Sequence, residues 1–164
     1  EYMTDDVLLE LSATLGARLK EKGATLTCAE SCTGGLIAKV ITDISGSSAY
    51  FERGYVTYSN QAKHEMLGVT LESLRLYGAV SEAVVNEMAQ GALRAASADF
   101  AVSVSGIAGP DGGSAAKPAG TVWFGFAAKD GRTYSIRQYF PGGRLQVRQL
   151  AAEFALCVLI EKFL

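Results

Sequence analysis

The sequence predicts an α/β protein: a three-layer α/β/α single domain with a mixed, mostly parallel sheet and a late β-hairpin. Up to about residue 104, helical apolar patterns alternate with short β-prone runs, as in a parallel sheet covered by helices. Further on, the β-prone runs 121–128 and 133–140 flank an Asp130-Gly131 turn, which predicts the hairpin. The 164 residues, 49% of them hydrophobic, can bury one sizeable core, so residues 1–164 are expected to form one domain.

The first elements follow from local signals. Thr4 is a suitable N-cap for a first helix, and Gly23 is a suitable stop. Leucines mark one face of that helix: Leu8, Leu11, Leu15 and Leu19. Residues 24–29 are β-prone, and from Leu36 to Ile41 the apolar residues return to helical spacing. The predicted order is helix, strand, tight turn and helix.

The middle of the chain predicts a second strand and further helices. Residues 54–58 have the aromatic and β-branched content of a strand, and a short helix is expected from Asn60 to Gly68. Thr70 and Ser81 are N-cap candidates for the next two helices.

A glycine-rich loop interrupts the last third of the chain. A buried strand is expected at residues 100–104, and the loop follows at residues 105–114. So long a loop inside a compact domain is usually functional or disordered. After the hairpin, the last helix is expected from about Leu145.

Charge and composition exclude several classes of partner. Fifteen Lys and Arg against seventeen Asp and Glu give a formal charge of −2 without a long basic run, so no nucleic-acid partner is expected. No apolar stretch is long enough to span a membrane and no signal-peptide pattern is present, so no membrane association is expected. The three cysteines are odd in number, and Cys28 and Cys32 lack C-x₂-C spacing, which predicts a reducing, cytoplasmic location.

Two further features concern the possible catalytic chemistry and the first three residues of the chain. His64 is the only histidine, so neither a histidine metal site nor a Ser-His-Asp triad is expected. Glu1 and Tyr2 precede Met3, and residues 1–3 are expected to be a non-native or disordered extension without function.

A serine and a lysine follow two predicted strands and form a candidate catalytic pair. Ser31 lies where the first strand breaks into a helix, and Lys63 follows the second strand. A neutral lysine can take the proton of a serine nucleophile, and burial or a neighbouring cation would lower its pKa. Tyr58 could relay a proton or orient Lys63. The alternatives are an N-cap for Ser31, a solvated helix lysine for Lys63 and a plain strand residue for Tyr58.

Several groups could bind substrate. N–H groups in the turn after Ser31, near the positive end of a helix, could hold an oxyanion. Glycines in the 105–114 loop expose N–H groups that bind phosphate or carboxylate, and two arginines near the last helix could face one anion. The alternatives are a mobile surface loop and a solvated helix face. The candidate substrate-binding residues are Cys32, Thr33, Gly34, Gly35, Ser48, Asn60, Ser105, Gly106, Gly109, Arg144 and Arg148.

From about Leu26 to the final helix, the chain resembles the C-terminal domain family of the competence/damage-inducible protein CinA. The resemblance rests on ordered blocks: AESCTGG at 29–35, YVTYSNQAK at 55–63, YGAVS at 77–81, SGIAGPDGGS at 105–114 and KPAGTVWFG at 117–125. The chain departs from the family in one place, since Gly142-Gly143-Arg144 replaces a G-D-R-like element with an acidic residue. Full-length CinA proteins also have an amino-terminal nucleotide-processing domain, and this chain is expected to be the stand-alone form without it.

The resemblance implies hydrolysis of the carboxamide of nicotinamide mononucleotide to nicotinate mononucleotide and ammonia, in pyridine nucleotide recycling. It implies that Ser31 is the acylated nucleophile, Lys63 the general base and Tyr58 an assisting residue, with Asn60 in the same motif. No metal or cofactor is implied. The only partners expected are a small-molecule pyridine nucleotide and further copies of the chain, as a dimer or larger homo-oligomer.

Two other kinds of function stay open at this point. A non-catalytic nucleotide- or phosphate-binding module would use Ser31, the glycine loop and an arginine only to hold an anion. A competence- or DNA-damage-related adaptor would bind partners instead. The binding module does not need Lys63 after Tyr58, whereas a serine amidase does.

Overall fold

The computed structural model describes residues 2–164, with side chains from Asp6 onward. Glu1, part of the extension expected at residues 1–3, lies outside the described residues. The first helix, α1, spans Tyr2–Lys22, so its backbone begins before the predicted N-cap at Thr4.

Twelve further elements follow α1. Their bounds are β1 Leu26–Glu30, α2 Leu36–Thr42, a 3₁₀ turn Ser47–Ala49, β2 Tyr55–Val56, α3 Asn60–Leu67, α4 Leu71–Tyr77, α5 Glu82–Ala96, β3 Phe100–Gly106, β4 Thr121–Ala128, β5 Thr133–Tyr139, α6 Arg144–Val158 and a closing π-helical turn Leu159–Phe163. The predicted order of elements is confirmed. Strand β2 is shorter than predicted, and the π-helical turn was not predicted.

The five strands form one mixed sheet in the order β2-β1-β3-β4-β5. Strand β1 pairs in parallel with β2 and β3, whereas β3, β4 and β5 pair antiparallel. The predicted sheet, parallel at its start and antiparallel at the late hairpin, is confirmed. Because β1, β2 and β3 run in the same direction, their carboxyl ends meet at one edge of the sheet, and the chain segments that follow them lie together there.

Helices cover both faces of this sheet. Consecutive residues of a strand point to opposite faces, so Cys28 and Phe124 belong to one core while Ala29 and Trp123 contact the other. The first core packs the sheet against α1, α2 and α6, and the second packs it against α3 and α5. The three-layer arrangement is thereby confirmed.

Local capping and close packing position the helix that contains Lys63. The Ser59 hydroxyl accepts a hydrogen bond from the Ala62 N–H at 3.0 Å, and so caps the start of α3. At the other end, α5 approaches α3 so closely that a Cβ atom on Gly91 would overlap the Leu67 carbonyl. The predicted caps of α4 and α5 are confirmed as well.

In the described part of the chain, residues 2–164, no helix combines the length and the apolar character needed to cross a bilayer.

Candidate active site

A cavity of about 270 Å³ lies beyond the carboxyl ends of β1, β2 and β3. The segments after all three strands contribute to its walls, together with the α4–α5 junction and the start of α6. It is lined by Ser31, Cys32, Tyr58, Asn60, Lys63, Ala79, Val80, Ser105, Gly106, Ile107, Ala108, Gly109, Asp111, Gly112 and Arg144. Larger surface clefts exist, including one of about 780 Å³ beside α1, but Ser31 and Lys63 line the cavity beyond the strands.

Ser31 and Lys63 form a hydrogen-bonded pair at the floor of this cavity. Lys63 Nζ lies 2.8 Å from Ser31 Oγ and 2.9 Å from the Thr57 carbonyl. The Tyr58 carbonyl is 3.5 Å from the same nitrogen. Both acceptors on the main chain belong to the segment between β2 and α3, so the turn into α3 directs the amine at the serine. This is the mutual geometry of a nucleophile and its base.

Lys63 is buried, with 1% of its surface exposed, which rules out the solvated helix lysine. Burial lowers the pKa of the Lys63 amine to about 8. A buried ammonium loses its hydration, and the cost favours the neutral amine. Near neutral pH, an appreciable fraction of Lys63 can therefore act as a base.

Ser31 does not cap the helix that follows it. The N-cap residue of α2 is Gly35, which has no side chain that could cap the helix. The Ser31 N–H donates to the Val104 carbonyl at 3.0 Å, which fixes the serine backbone to the end of β3. The N-cap alternative for Ser31 is therefore wrong, and its hydroxyl faces Lys63.

The buried carboxylate of Glu30 occupies the amino-terminal end of α2. Its Oε1 accepts hydrogen bonds from the Thr33 hydroxyl at 2.6 Å and from the Gly35 and Ile37 N–H groups at 3.1 and 3.0 Å. Its Oε2 accepts from the Ala38 N–H at 2.9 Å. The prediction that the Gly35 N–H binds an oxyanion is therefore wrong, because this N–H already donates a hydrogen bond to the Glu30 carboxylate.

The available oxyanion donor lies closer to the serine. Gly34 N–H donates back to the Ser31 carbonyl at 3.0 Å, so it is also unavailable. Among the described residues, the Cys32 and Thr33 N–H groups have neither a carbonyl nor a carboxylate acceptor, and only Cys32 lines the cavity. The Cys32 N–H, next to the serine, is therefore the main-chain donor best placed for an oxyanion.

The cysteines near the serine are structural. Burial raises the pKa of the Cys32 thiol to about 12 and raises that of Cys28 as well. Both thiols are protonated near neutral pH and are poor nucleophiles. Both side chains are buried in the core, where they pack as small apolar groups.

The two arginines of α6 contact different parts of the site. Arg148 Nε and Nη2 donate to the Cys32 and Thr33 carbonyls at 3.0 and 3.2 Å, behind the turn that contains the serine. Arg144 Nη1 donates to the Gly109 carbonyl at 2.9 Å and borders the cavity. Of the two predicted anion partners, only Arg144 faces the cavity, and the expectation that both face one anion is wrong.

The phenol of Tyr58 contacts Arg144 and not Lys63. Arg144 Nη2 donates to Tyr58 Oη at 2.9 Å, and the Tyr58 side chain is 61% exposed at the mouth of the cavity. The contact of Tyr58 with Lys63 is made by its main-chain carbonyl alone.

The glycine-rich loop is held against the body of the protein by hydrogen bonds. Gly120 N–H donates to the Ile107 carbonyl at 2.6 Å, and Lys117 Nζ donates to the Tyr77 carbonyl at 2.7 Å. A Cβ atom on Gly106 would lie 2.8 Å from the Thr121 carbonyl, so the close approach of β3 to the start of β4 requires glycine there. The loop forms one wall of the cavity.

The structure therefore gathers only some of the candidate binding residues. Those that line the cavity are Cys32, Asn60, Ser105, Gly106, Gly109 and Arg144. Those that do not line it are Thr33, Gly34, Gly35, Ser48 and Arg148. Ser48 lies exposed in the 3₁₀ turn. Thr33 is bound to Glu30, and the glycines belong to the turn that wraps around that carboxylate.

Sequence reasoning missed two acidic residues here. In the sequence Glu30 is simply the residue before Ser31, and no local signal indicates that the chain folds around its carboxylate. Asp111 belongs to a Gly-Pro-Asp-Gly-Gly stretch whose strongest sequence signal is its glycines. Among the side chains that the structure describes, from Asp6 onward, no group of three or more His, Cys, Asp or Glu is arranged to hold a metal ion.

Comparisons with known proteins agree with this architecture. The model of the CinA C-terminal domain matches residues 8–163. The chain is 65% identical to nicotinamide-nucleotide amidohydrolase PncC of Enterobacter agglomerans, over 99% of each chain. It is 61% identical to the protein of the same name from Escherichia coli K12, over 99% of this chain and 98% of that one. The crystal structure of competence/damage inducible protein CihA from Agrobacterium tumefaciens superposes with a TM-score of 0.92 at 45% identity, covering 94% of both chains. The chain belongs to the CinA C-terminal domain family.

Proposed function

We propose that this protein hydrolyses the carboxamide of nicotinamide mononucleotide to nicotinate mononucleotide and ammonia, with Ser31 as nucleophile and Lys63 as base. The observation that supports it most is the 2.8 Å hydrogen bond between Ser31 Oγ and the buried Lys63 amine. The substrate is proposed from the relatives, since two proteins at least 61% identical over nearly the whole chain are named nicotinamide-nucleotide amidohydrolases.

Acylation begins with neutral Lys63. Its amine takes the proton of Ser31 Oγ as that oxygen bonds to the carboxamide carbon, and the carbonyl oxygen becomes an oxyanion facing the Cys32 N–H. The Lys63 ammonium then gives its proton to the amide nitrogen, the C–N bond breaks and ammonia leaves. Ser31 is left as an ester of the nicotinoyl group.

Deacylation repeats these transfers with water. Lys63 takes a proton from the water that attacks the ester carbon, and returns it to Ser31 Oγ as the C–O bond of the ester breaks. The product is the carboxylic acid, which ionises to nicotinate mononucleotide. Because one amine donates and accepts in turn, its pKa must lie near the working pH, which a value of about 8 satisfies.

Binding of the phosphate is assigned to Arg144. This guanidinium borders the cavity, and its hydrogen bonds go to two neutral oxygens, the Gly109 carbonyl and the Tyr58 phenol. Neither neutralises its charge, so a phosphate can bind beside them. The homo-oligomeric state and the cytoplasmic location stay predictions.

Ammonia release by the purified protein tests the reaction. We expect release from nicotinamide mononucleotide, with much weaker release from free nicotinamide, which lacks the phosphate that Arg144 would bind. Binding of the mononucleotide without any ammonia would contradict the amidase function and favour the nucleotide-binding module. If the protein neither binds nor hydrolyses the mononucleotide, the adaptor function becomes the better explanation.

A further inference from the structure

Asp111 borders the same cavity as Ser31 and Arg144, and no step of the proposed hydrolysis uses it. Within the described part of the chain, no hydrogen bond or ion pair is formed by its carboxylate. Arg144, a cation on the same cavity, bonds to the Gly109 carbonyl instead. A negative and a positive group thus border one cavity without neutralising each other.

Hydrogen bonds hold the loop before and after Asp111. Gly109, two positions before Asp111, is held by Arg144, and further along Ser114 and Lys117 are joined by two hydrogen bonds of 2.9 and 3.1 Å. Lys117 Nζ also donates a hydrogen bond to the carbonyl of Tyr77, the last residue of α4. Hydrogen bonds therefore hold the chain in place on both sides of Asp111.

A carboxylate in this position restricts the ligands that the cavity accepts. A simple anion such as phosphate alone would be attracted by Arg144 but repelled by Asp111. A ligand that joins an anion to hydroxyl groups satisfies both, because ionised carboxylates accept hydrogen bonds from hydroxyl donors. A ribonucleotide has this combination, with a vicinal diol between its base and its phosphate.

We propose, on the basis of the nucleotide amidase function above, that Asp111 is a specificity-determining residue that accepts hydrogen bonds from the ribose hydroxyls of the substrate. The carboxamide then faces Ser31, the phosphate faces Arg144 and the sugar between them faces Asp111. Such a site selects ribonucleotides over deoxyribonucleotides and over phosphate esters without a diol.

The test is a binding cycle in the Ser31→Ala protein, so that ligand is not consumed. Calorimetry gives Kd for nicotinamide mononucleotide and for its 2′,3′-dideoxy analogue, with and without Asp111→Ala. We expect the loss of the hydroxyls to weaken binding by about 10- to 100-fold when Asp111 is present, as for hydrogen bonds to a charged group. With Asp111→Ala, the two ligands should bind alike. Asp111→Asn keeps one acceptor oxygen and should give an intermediate ratio.

Asp130→Ala is the matched control, because it removes a carboxylate from the exposed turn between β4 and β5. It should leave the ratio between the ligands unchanged. If Asp111→Ala weakens both ligands by the same factor, or weakens neither, the assignment to the ribose hydroxyls is overturned. The assignment is also overturned if the mononucleotide does not bind at all, even to the protein with intact Ser31.

Failure of the proposed reaction gives a different result. Wild-type protein that releases no ammonia, yet shows the expected coupling between Asp111 and the ribose hydroxyls, would contradict the amidase function alone. Ammonia release without that coupling would contradict only the role of Asp111.

Discussion

Lys63 Nζ lies 2.8 Å from Ser31 Oγ, although the two residues are 32 positions apart in the chain. Parallel pairing of β1 with β2 brings them together, because each residue follows the carboxyl end of its strand. In the proposed mechanism the pair needs no histidine, because burial of the lysine supplies the lowered pKa that a base requires near neutral pH.

The rate of hydrolysis should follow the titration of Lys63. The base must be neutral, so kcat/KM is expected to rise with pH through a midpoint of about 8 and to level off above it. The measurement is kcat/KM for nicotinamide mononucleotide between about pH 6 and about pH 10, roughly two units on either side of the midpoint. A profile that is flat across this range would mean that a different group limits the reaction.

The titration of Lys63 should also affect how the free energy of unfolding depends on pH. The folded protein loses the Lys63 proton at about pH 8, whereas a free lysine loses it near 10.5. Between these values the unfolded chain binds more protons at Lys63, so the contribution of Lys63 to the free energy of unfolding rises with pH, by roughly 3 kcal/mol in total for a shift of this size. Lys63→Met should lack this rise. Equal pH dependence of urea unfolding for the two proteins would contradict a lowered pKa.

Removal of Arg144 should affect binding of the phosphate. Arg144→Ala is expected to raise KM for nicotinamide mononucleotide about 10- to 100-fold, and to change KM for nicotinamide riboside little, because the riboside has no phosphate. Steady-state kinetics with both substrates measure the difference. Equal changes for both would place the phosphate elsewhere.

Arg148→Ala should behave differently, since Arg148 supports the carbonyls of Cys32 and Thr33. We expect kcat to fall by a similar factor for the mononucleotide and the riboside, because the turn that positions the serine and the Cys32 N–H loosens. Arg148→Lys keeps the charge but loses the forked donors, and should recover little activity. A KM effect confined to the mononucleotide would instead mean that Arg148 binds the phosphate.

The Tyr58→Phe variant distinguishes between two possible roles of the tyrosine side chain. The phenol bonds to Arg144, so the structure favours a KM increase for the mononucleotide with kcat nearly unchanged. The sequence and the family resemblance favour assistance to Lys63, which would lower kcat for both substrates. The lysine keeps its contact with the Tyr58 carbonyl in either protein, so its position is not altered.

Much of the fold could be predicted because the sequence signals are local. Side-chain caps at Thr70 and Ser81 and the Asp130-Gly131 turn each specify an element boundary within a few residues. Strand β2 was harder, since only Tyr55 and Val56 pair with β1 and the neighbouring residues merely have strand-like composition.

The site could be predicted in part for the same reason. Ser31 and Lys63 follow strand ends, and the rule for open α/β sheets brings such positions together. The role of Glu30 could not be predicted, because its partners are main-chain donors as far along as Ala38, which become neighbours only when the turn forms. The two arginines share a helical face, yet one turn separates them by about 6 Å, which is enough for each to reach a different segment.

The most direct test of the central claim is the activity of Ser31→Ala on nicotinamide mononucleotide. We expect kcat/KM to fall by about 10³-fold or more while the protein still binds the nucleotide, because the variant has no nucleophile. Ser45→Ala, an exposed serine in the loop after α2, is the control and should match the wild type. Ammonia release by Ser31→Ala within about tenfold of the wild type, a barrier difference of only about 1.4 kcal/mol, would contradict the Ser31–Lys63 mechanism.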